Sequence, residues 1–142
     1  MLLREGNILL NQHFNSKDEA IKKVGELLVS GNYVKEAYIG KMLERENIST
    51  TYIGNNIAIP HGTSDSQNEI LESGISIVQI PEGVSFGNDV AKVVIGIAGK
   101  GNTHLGLLSN IAVICSDMEN VDKIVNAKTK QEILELFGAM DL

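Results

Sequence analysis

Apolar residues recur along this chain with two different periods, and the switches between them mark the elements. Behind Ser16-Lys17-Asp18-Glu19, a serine followed three residues later by glutamate, Ala20, Ile21, Val24, Leu27 and Leu28 fall at helical spacing until Gly31. That arrangement predicts a capped amphipathic helix with one buried face. A second helix is predicted over 35–47, where Tyr38, Ile39, Met42 and Leu43 share one side and Lys41, Glu44, Arg45 and Glu46 crowd the end. It leaves Arg45 near the following loop.

After the turn-forming Gly54-Asn55-Asn56 the period shortens. Ile57-Ala58-Ile59 is short, branched and bounded by Pro60, which predicts a strand that stops there and a loop that opens with His61. A further strand is predicted over 75–80, ending at Pro81-Glu82-Gly83. Val93 to Ala98 is apolar at nearly every position, the pattern of a strand covered on both faces. The Gly99-Lys100-Gly101-Asn102-Thr103 break leads into a mostly apolar helix carrying Leu105, Leu107, Leu108, Ile111, Ala112 and Ile114. This helix is expected to be buried, with Asn102 or Thr103 capping its start. Two shorter helices follow, one through Val121, Ile124 and Val125, the other behind a second capping box, Thr129-Lys130-Gln131-Glu132. A doubly covered strand among helices predicts a sheet with helices on both faces.

The length of 142 residues suits one domain, and no repeat or linker divides it. Eighteen acids against twelve scattered bases give a net charge of −6, which argues against nucleic acid or anionic membrane as main partners. No apolar run approaches the length of a membrane span, so a cytoplasmic protein without membrane insertion is expected. Cys115 has no second cysteine to pair with and ends the apolar run from Ile111, so a buried thiol is expected.

Candidate chemistry rests on three histidines and one of the two arginines. His13 lies among Asn11, Gln12 and Asn15 with no glycine loop or cation beside it, and reads as a surface residue. His61 follows a rigid proline at a strand end, where α/β folds bind ligands, and precedes the small residues Gly62, Thr63 and Ser64. From pattern alone it is either a reactive imidazole or a histidine tolerated in a turn. His104 falls in the first turn of a helix, where unpaired backbone N–H groups favour an anion, or else it packs against the loop. Together, a nucleophilic imidazole, a second imidazole beside a helix N-terminus and Arg45 supply the positioning and charge neutralisation that phosphoryl transfer needs. Neutral imidazole is available near pH 7 as a nucleophile, and neither metal nor cofactor is required. The Gly-x-x-x-x-Gly-Lys-Ser/Thr pattern of nucleotide-binding loops is absent.

The run from Thr50 through Ile57-Ala58-Ile59-Pro60-His61-Gly62-Thr63, preceded by Arg45-Glu46, resembles the signature of the mannitol and fructose class of phosphotransferase-system enzyme IIA. The resemblance continues in Gln79-Ile80-Pro81-Glu82-Gly83-Val84 with Phe86-Gly87, and in Val94 to Ala98 followed by His104-Leu105 and Leu108, so it covers nearly the whole chain. It implies one EIIA type-2 domain over 1–142, an α/β fold with a mixed, mostly five-stranded sheet flanked by helices. It also implies that His61 takes a phosphoryl group from the phosphocarrier HPr and gives it to a cysteine on the IIB domain of a membrane-bound IIBC sugar permease. Arg45 and His104 match the family's helper positions. The Pro81-Glu82-Gly83-Val84 stretch is more like the mannitol branch than the fructose branch or the nitrogen-related regulatory relatives.

A chain that starts with methionine and shows no second domain is expected to be a free-standing subunit. Three other readings compete: a regulatory relative whose phosphorylation state controls partner binding, a metal-dependent hydrolase built on His61, His104 and Asp65, and an interaction domain without chemistry. Ligand spacing disfavours the second. The contact with HPr is expected to surround His61, with Ile59 and Ile53 or Val84 near its centre.

Overall fold

The computed structural model describes residues 2–138. A short strand β1 (Ile8–Leu9) precedes helices α1 (Lys17–Ser30) and α2 (Tyr38–Ile48). Strands β2 (Tyr52–Gly54), β3 (Ile57–Ala58), β4 (Gly74–Phe86) and β5 (Asp89–Ala98) come next, then α3 (Thr103–Cys115), α4 (Met118–Asn126) and α5 (Lys130–Phe137). The strands form one mixed sheet in the order β1-β4-β5-β3-β2. The β4–β5 and β2–β3 pairs are antiparallel, whereas β1–β4 and β3–β5 are parallel.

Strand alternation divides the core in two. Ile75, Ile77, Val93, Ile95 and Ile97 point to one face, where Leu107, Ile111, Ile124, Ile133 and Phe137 of α3, α4 and α5 cover them. Val78, Ile80, Val94 and Ala98 point to the other, under Ile21, Val24 and Leu28 of α1 and Tyr38 and Met42 of α2. Adjacent residues serve opposite cores, which is why β5 is apolar at consecutive positions. Gly96 admits α1 closely, because a Cβ there would lie 2.6 Å from Ser76 Oγ and 2.9 Å from Val24 Cβ.

Both capping boxes form. Ser16 Oγ accepts from the Glu19 amide and Thr129 Oγ1 from that of Glu132. The glutamates reach back to the Asn15 and Lys128 amides, one residue earlier than the standard box. Four expectations need correction. Helix α2 starts at Tyr38, three residues later than predicted, because 35–37 form a turn in which Lys35 carbonyl accepts from the Tyr38 amide. Pro81 does not end β4, which runs to Phe86 with a register shift between Gln79 and Val84. Pairing with β1 stops at Val78, so the proline lies where β4 has become an edge and its missing N–H breaks no bond on that side. Asn102 occupies the N-cap of α3 but makes no side-chain cap, and Thr103 Oγ1 donates instead to the Lys100 carbonyl. Finally, α3 is not buried all round: Leu107, Ile111 and Cys115 face the sheet, while Leu105 and Val113 are 66% and 68% exposed. Among the described residues nothing covers its outer side.

A buried amide ties the sheet to the second helical layer. Gln79 Nε2 donates to the carbonyls of Ile124 (2.8 Å) and Ala127 (3.0 Å) at the end of α4, and its Oε1 accepts from the Asn11 amide. Gln79→Leu should cost about 3 kcal/mol, since it strands buried carbonyls without partners. Urea unfolding should show a lower midpoint at unchanged slope.

Candidate active site

The site is made where β3 gives out. Pro60 carbonyl accepts from the Ile97 amide at 2.9 Å, and His61 lies opposite Ile97 as an isolated parallel bridge. That holds His61 beside the C-terminal end of β5, from which the Gly99–Gly101 loop leads into α3 and His104. Arg45 arrives from the last turn of α2, where its Nη1 donates to the carbonyl of Ser49 at 2.7 Å and to Ser49 Oγ at 3.1 Å. A cleft of about 260 Å³ is lined by Arg45, His61 and His104, floored by Tyr38 and Ile97. Three residues distant in sequence are thus brought together, as expected. His13 is exposed and lies outside the cleft.

His61 is held by its own backbone. Its Nδ1 lies 2.9 Å from the Ile59 carbonyl, which only accepts, so Nδ1 carries the hydrogen and Nε2 keeps its lone pair. Burial pushes the pKa of His61 below its usual 6.5; the Ile59 carbonyl opposes that, Arg45 and His104 add to it, and Glu46 opposes it. The result is a neutral imidazole with a free Nε2 near pH 7.

His104 is seated by close backbone approach. A Cβ on Gly99 would fall 2.3 Å from His104 Cα and 2.6 Å from its amide nitrogen, so only glycine lets the loop fold against the first turn of α3. Nδ1 of His104 is buried without a hydrogen-bond partner among the described residues. Because Asn102 leaves the helix uncapped, the first-turn N–H groups of α3 are not taken by a side chain, a disposition suited to an anion.

Gln67 and Tyr38 also belong to the site, and sequence reasoning missed both. Gln67 Nε2 donates to the Gly99 carbonyl (2.9 Å) while its Oε1 accepts from the Gly101 amide (2.8 Å), so one side chain ties the loop after His61 to the loop before His104. In the sequence, Tyr38 shows only as an apolar position of α2. No local signal marks either residue, since each acts on backbone far away in sequence.

Asp65 turns away from the imidazoles, paired with Lys41 at 3.5 Å and hydrogen-bonded by Thr63. Among the described residues no three His, Cys, Asp or Glu side chains gather as metal ligands would. The apolar contact expected around His61 also needs revision, because Ile59 and Val84 are core residues, 6% and 4% exposed. Pleating turns them inward. Ile53 is exposed, as are Leu105 and Val113 on α3.

Residues 1–139 match the family model described as phosphoenolpyruvate-dependent sugar phosphotransferase system, EIIA 2. The chain belongs to this family. It is 52% identical over 141 residues to the mannitol-specific phosphotransferase enzyme IIA component of Bacillus subtilis, covering 99% of each. Among solved structures it resembles the crystal structure of IIA mannitol from Escherichia coli, at 37% identity with a TM-score of 0.89, covering 96% of this chain and 99% of that one. It also superimposes, with a TM-score of 0.91 and 36% identity over 96% and 97% of the two chains, on one chain of a structure described as the complex of enzyme IIAMTL and phosphorylated enzyme IIBMTL from Escherichia coli. The fold of an EIIA domain, with five α-helices about a five-stranded mixed sheet among the described residues, is therefore as the resemblance implied. No helix among the described residues is long and apolar enough to cross a membrane.

Two results are expected for this EIIA chain. An NMR titration should place the His61 midpoint below 6.5, with the Nδ1–H tautomer in the neutral form. The unfolded chain then binds a proton that the native site resists, so the His61 contribution to stability is complete above pH 6.5. It declines as pH falls through the lower, native pKa. Gly99→Ala should displace His104 and slow any chemistry that depends on it by about 100-fold, read as turnover in a protein whose circular dichroism is unchanged.

Proposed function

We propose that this chain is the cytoplasmic phosphocarrier of a mannitol-type phosphotransferase system, with His61 Nε2 as the phosphoryl acceptor. The observation that carries this is the Nδ1 hydrogen bond to Ile59, which leaves Nε2 as the one nucleophilic nitrogen of a half-buried ring beside two cationic or donor groups. The lone pair of Nε2 attacks phosphorus on phospho-HPr. A new N–P bond forms as the old one breaks, and the HPr imidazole leaves with the electron pair. In the second step a cysteine thiolate of the IIB domain attacks the same phosphorus, an S–P bond forms, and His61 leaves as neutral imidazole.

Arg45 and His104 stabilise charge on the transferring oxygens without bonding to phosphorus. Burial, which disfavours a proton on His61, keeps its imidazole neutral and able to attack, while the Arg45 charge is placed to meet the negative oxygens of the group it receives. The cleft, about 260 Å³, is below the ~300–1,000 Å³ of small-molecule pockets, which suits a phosphoryl group carried in by another protein better than a sugar. The outer side of α3, with Leu105 next to His104, offers an apolar landing for HPr and the IIB domain of the IIBC permease.

Intact-mass analysis at alkaline pH, after incubation with phosphoenolpyruvate, enzyme I and HPr, should find one phosphoryl group on wild type and none on His61→Ala. Arg45→Ala and His104→Ala should still gain it, but about 10- to 1,000-fold more slowly. Phosphate on His61→Ala, or full rates in both helper variants, would refute these roles.

A further inference from the structure

The parallel ladder between β3 and β5 ends in an unusual way. Ile97 donates its N–H to the Pro60 carbonyl at 2.9 Å, and the regular continuation would be a direct bond from the Gly62 N–H to the Ile97 carbonyl. Instead, the Tyr38 hydroxyl stands in that place. It accepts from the Gly62 amide at 2.8 Å and donates to the Ile97 carbonyl at 2.8 Å. One oxygen has been inserted into the ladder immediately after His61.

That oxygen shapes the chain on both sides of it. Beyond the hydroxyl, the Thr63–Gln67 segment and the Gly99–Gly101 loop run on either side of a gap that the Gln67 side chain spans. The cleft containing His61 and His104 lies in the gap. The tyrosine ring forms its floor, so close beneath Gly62 that a Cβ there would lie 2.5 Å from Tyr38 Cε1. Tyr38 also opens α2, and Arg45 lies seven residues along the same face, roughly 10 Å up the helix axis. Anchoring the first residue of α2 to the strand end therefore sets where Arg45 stands relative to His61. Burial pushes the pKa of Tyr38 up to about 12, so the hydroxyl keeps its proton and its donor role at any ordinary pH.

We infer that Tyr38 is a positioning residue for phosphoryl transfer: its hydroxyl wedges the β3–β5 ladder open at His61 and fixes His61 and Arg45 in one frame. This rests on the reading of His61 as the phosphoryl acceptor. It differs from a purely structural role in what it predicts for kinetics. Removing the hydroxyl leaves the partner-facing surface untouched, so docking should survive while alignment is lost.

Tyr38→Phe should lower kcat for phosphorylation by phospho-HPr about 10- to 100-fold, the scale expected for a sub-ångström to ångström misplacement. KM should stay within about twofold, the pattern of an interaction felt only in the transition state. The control is Tyr52→Phe, which removes a comparable hydroxyl acceptor, that of the Asn56 amide at 3.1 Å, away from the cleft. It should leave kcat unchanged. Wild-type kcat in Tyr38→Phe, or an equal fall in Tyr52→Phe, would overturn the inference. Wild-type protein gives a test that does not depend on the variant folding: a through-hydrogen-bond scalar coupling between Gly62 ¹⁵N and Ile97 ¹³C′ should be absent, and its presence would mean that the ladder closes directly and no wedge exists. If wild type gained no phosphate on His61, the functional reading would fall by itself, whereas the coupling would still decide the wedge.

Discussion

The pairing of β3 with β5 is the constraint on which the site depends. β3 contributes only two ladder residues, Ile57 opposite Val93 and Ala58 opposite Val94, yet its continuation through Pro60 delivers His61 to the carboxyl end of a central strand. β5 itself is held along most of its length by β4, so it is a stiff reference. Beyond Ala98 the chain leaves the sheet, and it does so through the glycine loop and the first turn of α3. Two histidines far apart in sequence meet because one lies just past the end of β3 and the other just past the end of β5, and these strands are parallel neighbours.

Electrostatics and packing act on the same atoms there. The Ile59 carbonyl, two residues before His61, chooses the tautomer; burial and the arginine at the end of α2 keep a proton off the ring. In the proposed relay these properties would make His61 a good nucleophile and a good leaving group alike, and a carrier needs both, since it must give away what it accepts. A site that held a phosphoryl group more tightly would be a poorer relay.

The helical layers have unequal duties. α1 is amphipathic and seals one face of the sheet, coming close enough at Gly96 that only glycine fits. α3 is apolar nearly all round but packs on one side alone, leaving Leu105 and Val113 to solvent. In the proposed relay, where two protein partners dock in turn, an apolar surface beside the cleft is a functional allowance rather than a packing defect.

Local pattern determined much of this protein. The Ser16 and Thr129 caps, the amphipathic face of α1, the doubly covered β5 and the strand end at Pro60-His61 all depend on residues within a turn or two of one another, and each stands where the pattern placed it. His61, His104 and Arg45 could be nominated because strand ends and helix termini expose unpaired groups wherever they occur. Tertiary structure alone decided the rest. Pro81 could interrupt β4 without ending it because β1 had already stopped; Ile59 and Val84 turned inward because of sheet pleat and partner; α3 kept an open side because no described residue packs there. Tyr38 and Gln67 were illegible for the most basic reason: their polar atoms bind backbone groups of distant segments, and hydrogen bonds between segments have no period in the sequence.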